Sequence, residues 1–370
     1  MSVHVEEVLK IIRNIAPENL AEKWDNSGVQ LLTENNEIKK ILVCLEINEE
    51  VMKESMQNEI DLIVTHHPFI FNPLKKITNN SWLGNVIINL LKRNIMVYSA
   101  HTSFDSAYGG NNDYLAEIMD LENIRHLREY SIGDYYKLVV YVPAESLDMM
   151  RSVICDAGAG KINDYSQCTF YQKGTGTFMP NVNADPYIGE ADKLEKVSEY
   201  RLESLVPEGR LSNVLSSMTS AHPYEEPAYD IIKLENKIDP SGLGRIGELK
   251  QENTLEEVCH MIKNKLDIKE PVPFVGAAKN KIKTIGICTG SGMDLLQDAI
   301  DKNCQLFITG DVKYHDAHNA QQAGIALIDA KHFHTEKIFV DNMSDKLKKA
   351  LNNRAEVMMS KANLNPFQYV

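Results

Sequence analysis

The sequence lacks a C-x-x-C pair, a long apolar run and an excess of positive charge. Its six cysteines are scattered over 370 residues, which favours buried thiols over a disulfide framework or a zinc knuckle. No apolar run has the length of a bilayer crossing, and the first residues show neither the basic start nor the apolar block of a secretory signal. We therefore expect a cytoplasmic protein without a membrane partner.

The charge balance narrows the classes of partner. A formal net charge of −13 disfavours nonspecific binding to nucleic acid, so we expect no nucleic-acid partner. A phosphorylated small molecule would need local positive charge, such as a metal ion, to bind this acidic chain. The composition, 43% hydrophobic and 25% charged, is that of a globular protein long enough for two or three domains.

Apolar blocks alternate with segments of helical period near each end of the chain. The blocks are KILVCLE, DLIVT and IMVYSA in the N-terminal part and IKTIGIC, QLFITG and IALIDA in the C-terminal part. This alternation is typical of parallel strands joined by crossover helices. The sequence therefore predicts an α/β fold in which two similar α/β pieces form one domain.

The middle of the chain has a different order of elements. Between residues 130 and 238 the patterns run strand, helix, strand, strand, helix, strand, which is the ferredoxin-like plan. The two ends of that fold lie close together, so it suits insertion into another domain. We expect residues 1–129 and 239–370 to form a discontinuous α/β domain and residues 130–238 to form an inserted α+β domain.

Histidines and carboxylates follow the predicted strands directly. In open parallel sheets, ligand sites form beyond the carboxyl ends of the strands. The residues at these ends are His66, His67, His101, Asp105, Asp311, His332 and Glu336. A His and a Glu four residues apart are usually a helix-surface contact, but four groups of ligand-type residues at strand ends favour a metal site. Imidazole together with carboxylate suits zinc, iron or manganese.

The adjacent pair His66 and His67 needs a special geometry, because neighbours on a regular strand point to opposite faces. Either the chain leaves strand geometry here, which Pro68 encourages, or the site is wide enough for two centres. A carboxylate can bridge two ions. Two diverging histidines with one bridging acid would therefore serve two metals.

At these residues the chain resembles the NGG-interacting-factor-like family of dinuclear-metal proteins, several of whose bacterial members are named GTP cyclohydrolase I type-two homologues. The matching stretches include EKWDNSGVQL, VTHHPFIF, SAHTSFD, GLGRIGEL, ITGDVKYHDA and DAKHFHTE, which cover both α/β pieces. The insert resembles the P-II-like domain of the longer members through GTGTFMP and AHPYEEPAYD.

The resemblance implies two divalent metal ions per subunit, with Glu336 as the bridge between them. The ligands that it implies are His66, His67, Asp105, His332 and Glu336. His101 is a further candidate, as a ligand, as a residue that orients one, or as a catalytic carrier of protons, and His315 is a second candidate for proton transfer. The resemblance also implies a homohexamer built as a trimer of dimers.

Two positions depart from the family pattern. Lys331 stands where the family usually has glycine, and Glu46 stands where an aspartate is common. A lysine can add positive charge for an anionic ligand, but it requires ordinary backbone angles at that turn. The departures therefore concern the fit of the substrate more than metal binding.

Two glycine-rich segments are weaker candidates for a ligand site. GLGRIG at 242–247 satisfies the dinucleotide pattern but follows a polar segment and not a strand, so we reject it as a nucleotide fingerprint. TGSG at 289–292 lies between a strand and a helix, where its amides either hold a phosphate or form a simple connection. We expect His222 to anchor the end of the insert's helix and not to bind metal.

The leading hypothesis for function is a metal-assisted hydrolase, with a GTP cyclohydrolase reaction that opens the imidazole ring of GTP and releases formate. The same ligand set suits a phosphoesterase. A hypothesis of another class is a non-enzymatic metal-binding or regulatory hexamer, whose insert senses a small molecule or docks a partner.

Overall fold

A computed structural model describes residues 2–130, 133–162, 165–237 and 241–369. The chain separates into two compact units, Met1–Tyr130 with Ser241–Val370, and Ser131–Pro240. The predicted boundary between residues 238 and 239 lies outside the described residues. Within the described ranges we find no helix with the length and apolar character that a bilayer crossing demands.

The first part of the larger unit alternates strands and helices. Its strands are β1 (Val3–His4), β2 (Gly28–Leu31), β3 (Glu37–Ile38), β4 (Lys40–Cys44), β5 (Leu62–Thr65), β6 (Met96–Ser99) and β7 (Glu122–Tyr130). Its helices are α1 (Val5–Ile15), α2 (Glu49–Gln57), α3 (Trp82–Lys92), α4 (Thr102–Ser106) and α5 (Asn111–Ile118). Polar caps fix where the helices begin, since Asn48 accepts a hydrogen bond from the Val51 amide and Ser81 accepts one from the Gly84 amide.

The smaller unit has the order strand, helix, strand, strand, helix, strand. Its elements are β8 (Asp134–Pro143), α6 (Leu147–Asp156), β9 (Thr169–Phe178), β10 (Glu195–Pro207), α7 (Glu208–Ala221) and β11 (Tyr229–Lys237). They form an antiparallel sheet of order β11-β8-β10-β9, with Val140 and Leu202 packed against Met150 and Val214 of the two helices. The likeness of this unit to a P-II-like domain stays a prediction.

The larger unit continues after the insert. Its strands there are β12 (Ser241–Thr254), β13 (Phe274–Val275), β14 (Lys281–Ile287), β15 (Leu306–Thr309), β16 (Ala326–Asp329) and β17 (Glu356–Met359). Its helices are α8 (Leu255–Lys265), α9 (Leu296–Asp301), α10 (Tyr314–Ala323), α11 (His332–Glu336) and α12 (Phe339–Leu351). Thr254 and Glu257 form a reciprocal capping box at the start of α8.

Two sheets carry the larger unit. One has the order β17-β4-β5-β6-β2, in which β17, β4, β5 and β6 run parallel. The other has the order β13-β16-β15-β14-β12-β7, in which β14, β15 and β16 run parallel. Every residue of β5 and β15 is buried, as expected for central parallel strands covered on both faces. The predicted α/β class is therefore confirmed.

The insert leaves the larger unit at a point where two of its strands are neighbours. Tyr130 ends β7 and pairs with Ser241, which begins the antiparallel strand β12. If residues 131–240 are replaced by Asn-Gly, β7 and β12 should form an ordinary hairpin, because that dipeptide favours the tight turn. We expect the shortened chain to unfold cooperatively in urea and to bind metal as the full chain does. A Pro-Pro join, which cannot make that turn, is the control, and loss of metal from both versions would show that the insert is required for folding.

Candidate metal centre

The chain leaves strand geometry immediately before the histidine pair. Strand β5 ends at Thr65, and the amides of His66 and His67 both donate to the carbonyl oxygen of Leu45, at 3.1 and 2.9 Å. The two rings then lie with centroids 5.3 Å apart. The sequence left open whether the chain departs from strand geometry at the histidine pair. The structure shows that it does, and as a result both imidazoles lie in one cluster.

A hydrogen bond at Nδ1 orients each ring of this pair. Nδ1 of His66 lies 2.9 Å from the carbonyl oxygen of Ala100, and Nδ1 of His67 lies 3.3 Å from Oε2 of Glu46. Because Nδ1 is occupied, Nε2 is the nitrogen that each ring presents to the cluster. The glutamate at position 46 therefore supplies a carboxylate that positions His67.

His101 and His332 are oriented in the same way by aspartates. Nδ1 of His101 lies 2.8 Å from Oδ1 of Asp25, and Nδ1 of His332 lies 2.7 Å from Oδ2 of Asp311. Oδ2 of Asp25 accepts from the Thr102 amide and hydroxyl and from a serine hydroxyl. Burial raises the pKa of Asp25, but its hydrogen bonds, above all that with His101, outweigh burial and hold the pKa well below the usual range. Asp25 is therefore an ionised acceptor that fixes His101.

Glu336 is the carboxylate that the imidazoles share. Its Oε2 lies 2.8 Å from Nε2 of His67 and 2.8 Å from Nε2 of His332, whereas its Oε1 lies 3.5 Å from Nε2 of His66. The two oxygens thus face different imidazoles. His332 and Glu336 are the first and last residues of α11, so one helical turn places both on the same face.

Asp105 completes the cluster on the His66 side. Its Oδ2 lies 3.6 Å from Nε2 of His66, while its Oδ1 accepts from the Asn111 amide group at 3.2 Å and from the Thr289 hydroxyl at 3.3 Å. Asp105 is 5% exposed and Glu336 is 3% exposed. Two carboxylates are thus buried in a space where positive charge is needed to balance them.

In the metal-free protein the histidines carry that positive charge. Burial lowers the pKa of His67, but the hydrogen bonds and charges of Glu336 and Glu46 outweigh it and raise the pKa to about 10. For His332, Glu336 and Asp311 outweigh burial in the same way and raise the pKa to about 9. Burial raises the pKa of Glu336, yet the charge of His66 and the contacts of Glu336 with His332 and His67 bring it well below the usual value.

The donor atoms fit a divalent metal. Three sets have ligand atoms within 4.8 Å of one another, namely His66 with Asp105 and Glu336, His67 with His332 and Glu336, and His66 with His67 and His101. Nε2 of His66 is buried without a hydrogen-bond partner among the described residues, so a positively charged ligand would satisfy it. Imidazole nitrogens with carboxylate oxygens suit zinc, iron or manganese. The structure therefore contains a buried His, Asp and Glu cluster that can bind metal.

Lys331 adopts backbone angles that a lysine rarely takes. Its φ is 66° and its ψ is 139°, so the expectation of ordinary angles at this turn was wrong. The reason is local, because the Lys331 amide donates to Oδ1 of Asp329 at 3.0 Å and the lysine ammonium pairs with Oδ2 at 3.1 Å. Such a conformation costs about 1–3 kcal/mol in a residue other than glycine.

Replacing Lys331 with glycine should stabilise the metal-free protein. We expect the free energy of unfolding in urea to rise by about 1 kcal/mol, since glycine takes a positive φ without strain and this gain exceeds the loss of a partly exposed ion pair. Lys331→Ala is the matched control, because it loses the ion pair and keeps the strain. If the alanine variant is as stable as the glycine variant, strain is not the cause.

The TGSG segment packs directly behind Glu336. The amide of Thr289 donates to Oδ1 of Asn112, that of Gly290 to the Thr335 hydroxyl, and that of Gly292 to the Thr309 hydroxyl. Three of its amides are therefore used inside the protein, which favours a structural connection over a phosphate site. A Cβ at Gly290 would lie 2.0 Å from Oε1 of Glu336, and Gly290 has a φ of +65°. This glycine lets the carboxylate reach its position.

Replacing Gly290 with alanine should therefore displace Glu336. We expect metal affinity to fall by at least about tenfold, as for other groups that support metal ligands. Gly324→Ala is the control, since Gly324 has a similar φ of +75° with no atom within 4 Å of an added Cβ. Equal metal affinity of the two variants, measured by titration with a chromophoric chelator, would contradict the displacement of Glu336.

Several residues near the cluster were not singled out from the sequence. Asp25 orients His101 across a separation of 76 residues, and Trp24, which is 61% exposed, has its ring centroid 5.9 Å from that of His101. Both belong to the stretch EKWDNSGVQL, but nothing in that stretch indicates that His101, far along the chain, is their neighbour. His315 lies on the exposed face of α10, with its ring against Tyr314, and no contact among the described residues joins it to the cluster. Its role in proton transfer stays a prediction.

Comparisons with known proteins agree along the whole chain. The family model described as Duf34/NIF3 (NGG1p interacting factor 3) matches residues 3–366. A relative from Bacillus subtilis is 37% identical over 372 residues, which cover 100% of this chain and 99% of the relative, and one from Halalkalibacterium halodurans is 36% identical over 368 residues, which cover 99% and 98%. Both are named GTP cyclohydrolase 1 type 2 homolog. The crystal structure of a Bacillus cereus protein related to NIF3 superposes with a TM-score of 0.85 at 34% identity and covers 100% of this chain and 99% of that one.

Proposed function

The chain belongs to the Duf34/NIF3 (NGG1p interacting factor 3) family, and from this premise we propose that it is a dinuclear metal-dependent hydrolase acting on GTP. The proposal rests mainly on one observation. The two oxygens of Glu336 face different imidazoles, so one carboxylate can serve two adjacent ions. The choice of GTP is supported by the name that the curated relatives carry.

Two sets of residues would hold the ions. His66, Asp105 and Glu336 form one set, and His67, His332 and Glu336 form the other. Bound divalent cations supply Lewis acidity and make a water molecule more acidic. The chain itself holds the ligands in place through the hydrogen bonds at each Nδ1, so little reorganisation is needed when metal binds.

His101 is the residue that we assign to proton transfer. Its Nδ1 is held by the ionised Asp25, which leaves Nε2 directed toward His66 and His67. Opening of the imidazole ring of GTP breaks the C8–N9 bond after water adds to C8, and hydrolysis of the resulting formamide releases formate. Nε2 of His101 accepts a proton from the attacking water and returns one to the departing nitrogen.

Trp24 supports the choice of a purine substrate. Its exposed ring lies beside His101 and has its centroid 6.2 Å from that of Phe71. An exposed aromatic ring at the edge of the cluster can stack on a planar base and hold it over the site.

Turnover by the metal-loaded protein tests the proposal. Purified protein is incubated with GTP and, separately, with a panel of phosphoesters, and formate and phosphate are measured. We expect formate from GTP, with a kcat at least about a hundredfold lower in His101→Asn at unchanged metal content. Phosphate from the panel without formate would indicate a phosphoesterase. If neither product forms, the chain is instead a metal-binding or regulatory protein.

A homohexamer built as a trimer of dimers is part of the same proposal. Phe71, Leu74, Ile77 and Trp82 are large apolar side chains that are 39–50% exposed, and exposed apolar groups of this kind often belong to an interface. Light scattering on the eluting protein should give six times the chain mass of 41.8 kDa. A monomer at micromolar concentration would contradict this assembly.

A further inference from the structure

The inserted unit has a cavity of its own. The cavity measures about 600 Å³, which is enough for a small organic molecule, and Tyr141, Phe178, Tyr187, Glu199 and Tyr224 are among the residues that line it. Phe178 comes from the GTGTFMP stretch and Tyr224 from AHPYEEPAYD, two stretches that the proposed hydrolase site does not use.

The alternation of the strands places this cavity on the sheet face opposite the helices. In β10, Leu202 packs into the core against the helices, and Glu199 is an odd number of residues away, so it points to the other face. In β9, Gly176 faces the same side. A Cβ at Gly176 would lie 1.9 Å from Oε2 of Glu199, so the glycine leaves the space that the carboxylate occupies.

Glu199 is a buried carboxylate with one free oxygen. It is 7% exposed, and its Oε1 accepts a hydrogen bond from the Tyr224 hydroxyl at 2.8 Å. Burial raises the pKa of Tyr224, and the hydrogen bond and charge of Glu199 raise it further, so the phenol stays a donor. In the part of the chain that the structure describes, no side chain donates to Oε2 of Glu199.

The charged side chains that line the cavity, among the described residues, are acidic. Glu225 and Glu226 also line it, and no lysine or arginine is among the described residues of its wall. Arg201 is two residues from Glu199 on the same strand, but its Nη1 pairs with Oε1 of Glu203 at 2.7 Å. The negative charge of Glu199 is therefore not balanced within the described structure.

Aromatic rings surround the carboxylate. The centroid of Tyr224 lies 6.1 Å from that of Tyr187 and 6.1 Å from that of Phe178. The face of an aromatic ring attracts a cation, most strongly where water is excluded. His222 fixes the Tyr224 segment, since its Nδ1 accepts from the Tyr224 amide and its Nε2 donates to the Tyr141 carbonyl.

From these contacts we propose that the insert binds a small organic cation in this cavity. Its ammonium or guanidinium group donates to Oε2 of Glu199, and its body packs against Phe178, Tyr187 and Tyr224. A buried carboxylate beside several rings is complementary to a positive group with N–H donors and not to an anion. The proposal does not depend on the hydrolase activity of the other unit.

Calorimetric titration of the full-length, metal-loaded protein tests this site. The probes are arginine, spermidine and tetramethylammonium, with glutarate as an anion that has no amino group. We expect saturable binding of arginine or spermidine and no binding of glutarate. Tetramethylammonium should bind more weakly, because it has no N–H to donate to the carboxylate.

Two variants test whether the cation binds at Glu199. In Glu199→Gln the Kd should rise at least about tenfold, since a charge-assisted hydrogen bond is lost, while Glu235→Gln removes the same charge from an exposed position of β11 and should leave the Kd unchanged. Tyr187→Ala, at a ring that is 55% exposed, gives a second variant if Glu199→Gln does not fold. Absence of saturable binding by every cation, binding of glutarate, or an equal Kd in Glu199→Gln and Glu235→Gln would each overturn the proposal.

Discussion

Replacing Glu336 with alanine should remove both ions of the proposed dinuclear centre. Glu336 belongs to two of the ligand sets, and each of its oxygens faces a different imidazole. Loss of this one side chain therefore takes a ligand from both positions. We expect metal affinity to fall by at least about a hundredfold and activity on GTP to fall to background, as measured by elemental analysis of the dialysed protein and by formate release.

Single histidine variants should behave differently from Glu336→Ala. His332 belongs to only one ligand set, so His332→Ala should mainly weaken one ion and leave the other bound. Glu117→Ala removes an exposed carboxylate from α5 and should leave both ions in place. An unchanged metal content in Glu336→Ala would show that Glu336 does not bridge two ions, even if the histidine variants lose metal.

The sequence predicts the framework of the site well because the physics of parallel strands is local. Central strands such as β5 and β15 are buried on both faces, so their sequences, LIVT and LFIT, are apolar up to the final threonine. Ligand sites form beyond the carboxyl ends of parallel strands, and His66 follows β5 while His332 follows β16. The rule therefore predicts where each histidine lies in its own sheet, but β5 and β16 belong to different sheets, so their convergence in one cluster could not be predicted from it.

The groups that orient the ligands could not be predicted, because their partners are far away along the chain. Asp25 reaches His101 across 76 residues, and Glu46 reaches His67 across 21. No local pattern encodes a hydrogen bond of this kind. The positive φ of Lys331 was missed for a different reason, since a lysine in a sequence predicts ordinary angles, whereas its contacts with the nearby Asp329 accompany the unusual ones.

Arg245 is the clearest case of a residue whose contacts could not be predicted from the sequence. Its segment, GLGRIG, attracts attention as a nucleotide pattern and as a stretch that matches the family, but neither feature indicates that Arg245 is 1% exposed inside β12. Its guanidinium binds both carboxylate oxygens of Asp113, 132 residues away. It also donates to the carbonyl oxygens of Gly242 and Gly244, each at 2.9 Å, and of Ala107 at 3.2 Å. A buried arginine is predictable only once its carboxylate partner is known.

Replacing Arg245 with methionine should be among the most destabilising changes in the chain. It leaves Asp113, whose side chain is only 14% exposed, without its cation, and removal of one partner from a buried pair costs about 3–5 kcal/mol. Arg128→Met is the matched control, because the pair of Arg128 with Asp298 is partly exposed, at 35% and 26%, and should contribute less than about 1 kcal/mol. If urea unfolding gives the same loss for both variants, the buried pair is not what stabilises this region.

The Arg245 variant should also weaken metal binding, although Arg245 is not a ligand. Asp113 lies in α5, and the neighbouring Asn111 and Asn112 of that helix donate to Asp105, through its Oδ1 and its carbonyl oxygen at 3.2 and 3.1 Å. Arg245 thus fixes the helix that positions the proposed ligand Asp105.

The experiment uses Arg245→Met at a temperature where this variant stays folded. We expect the affinity for the ion at Asp105 to fall about tenfold, while the ion at His67 and His332 is retained. Adding Asp113→Asn removes the uncompensated charge and should recover part of the stability without restoring the affinity, because the link from β12 to α5 is still broken.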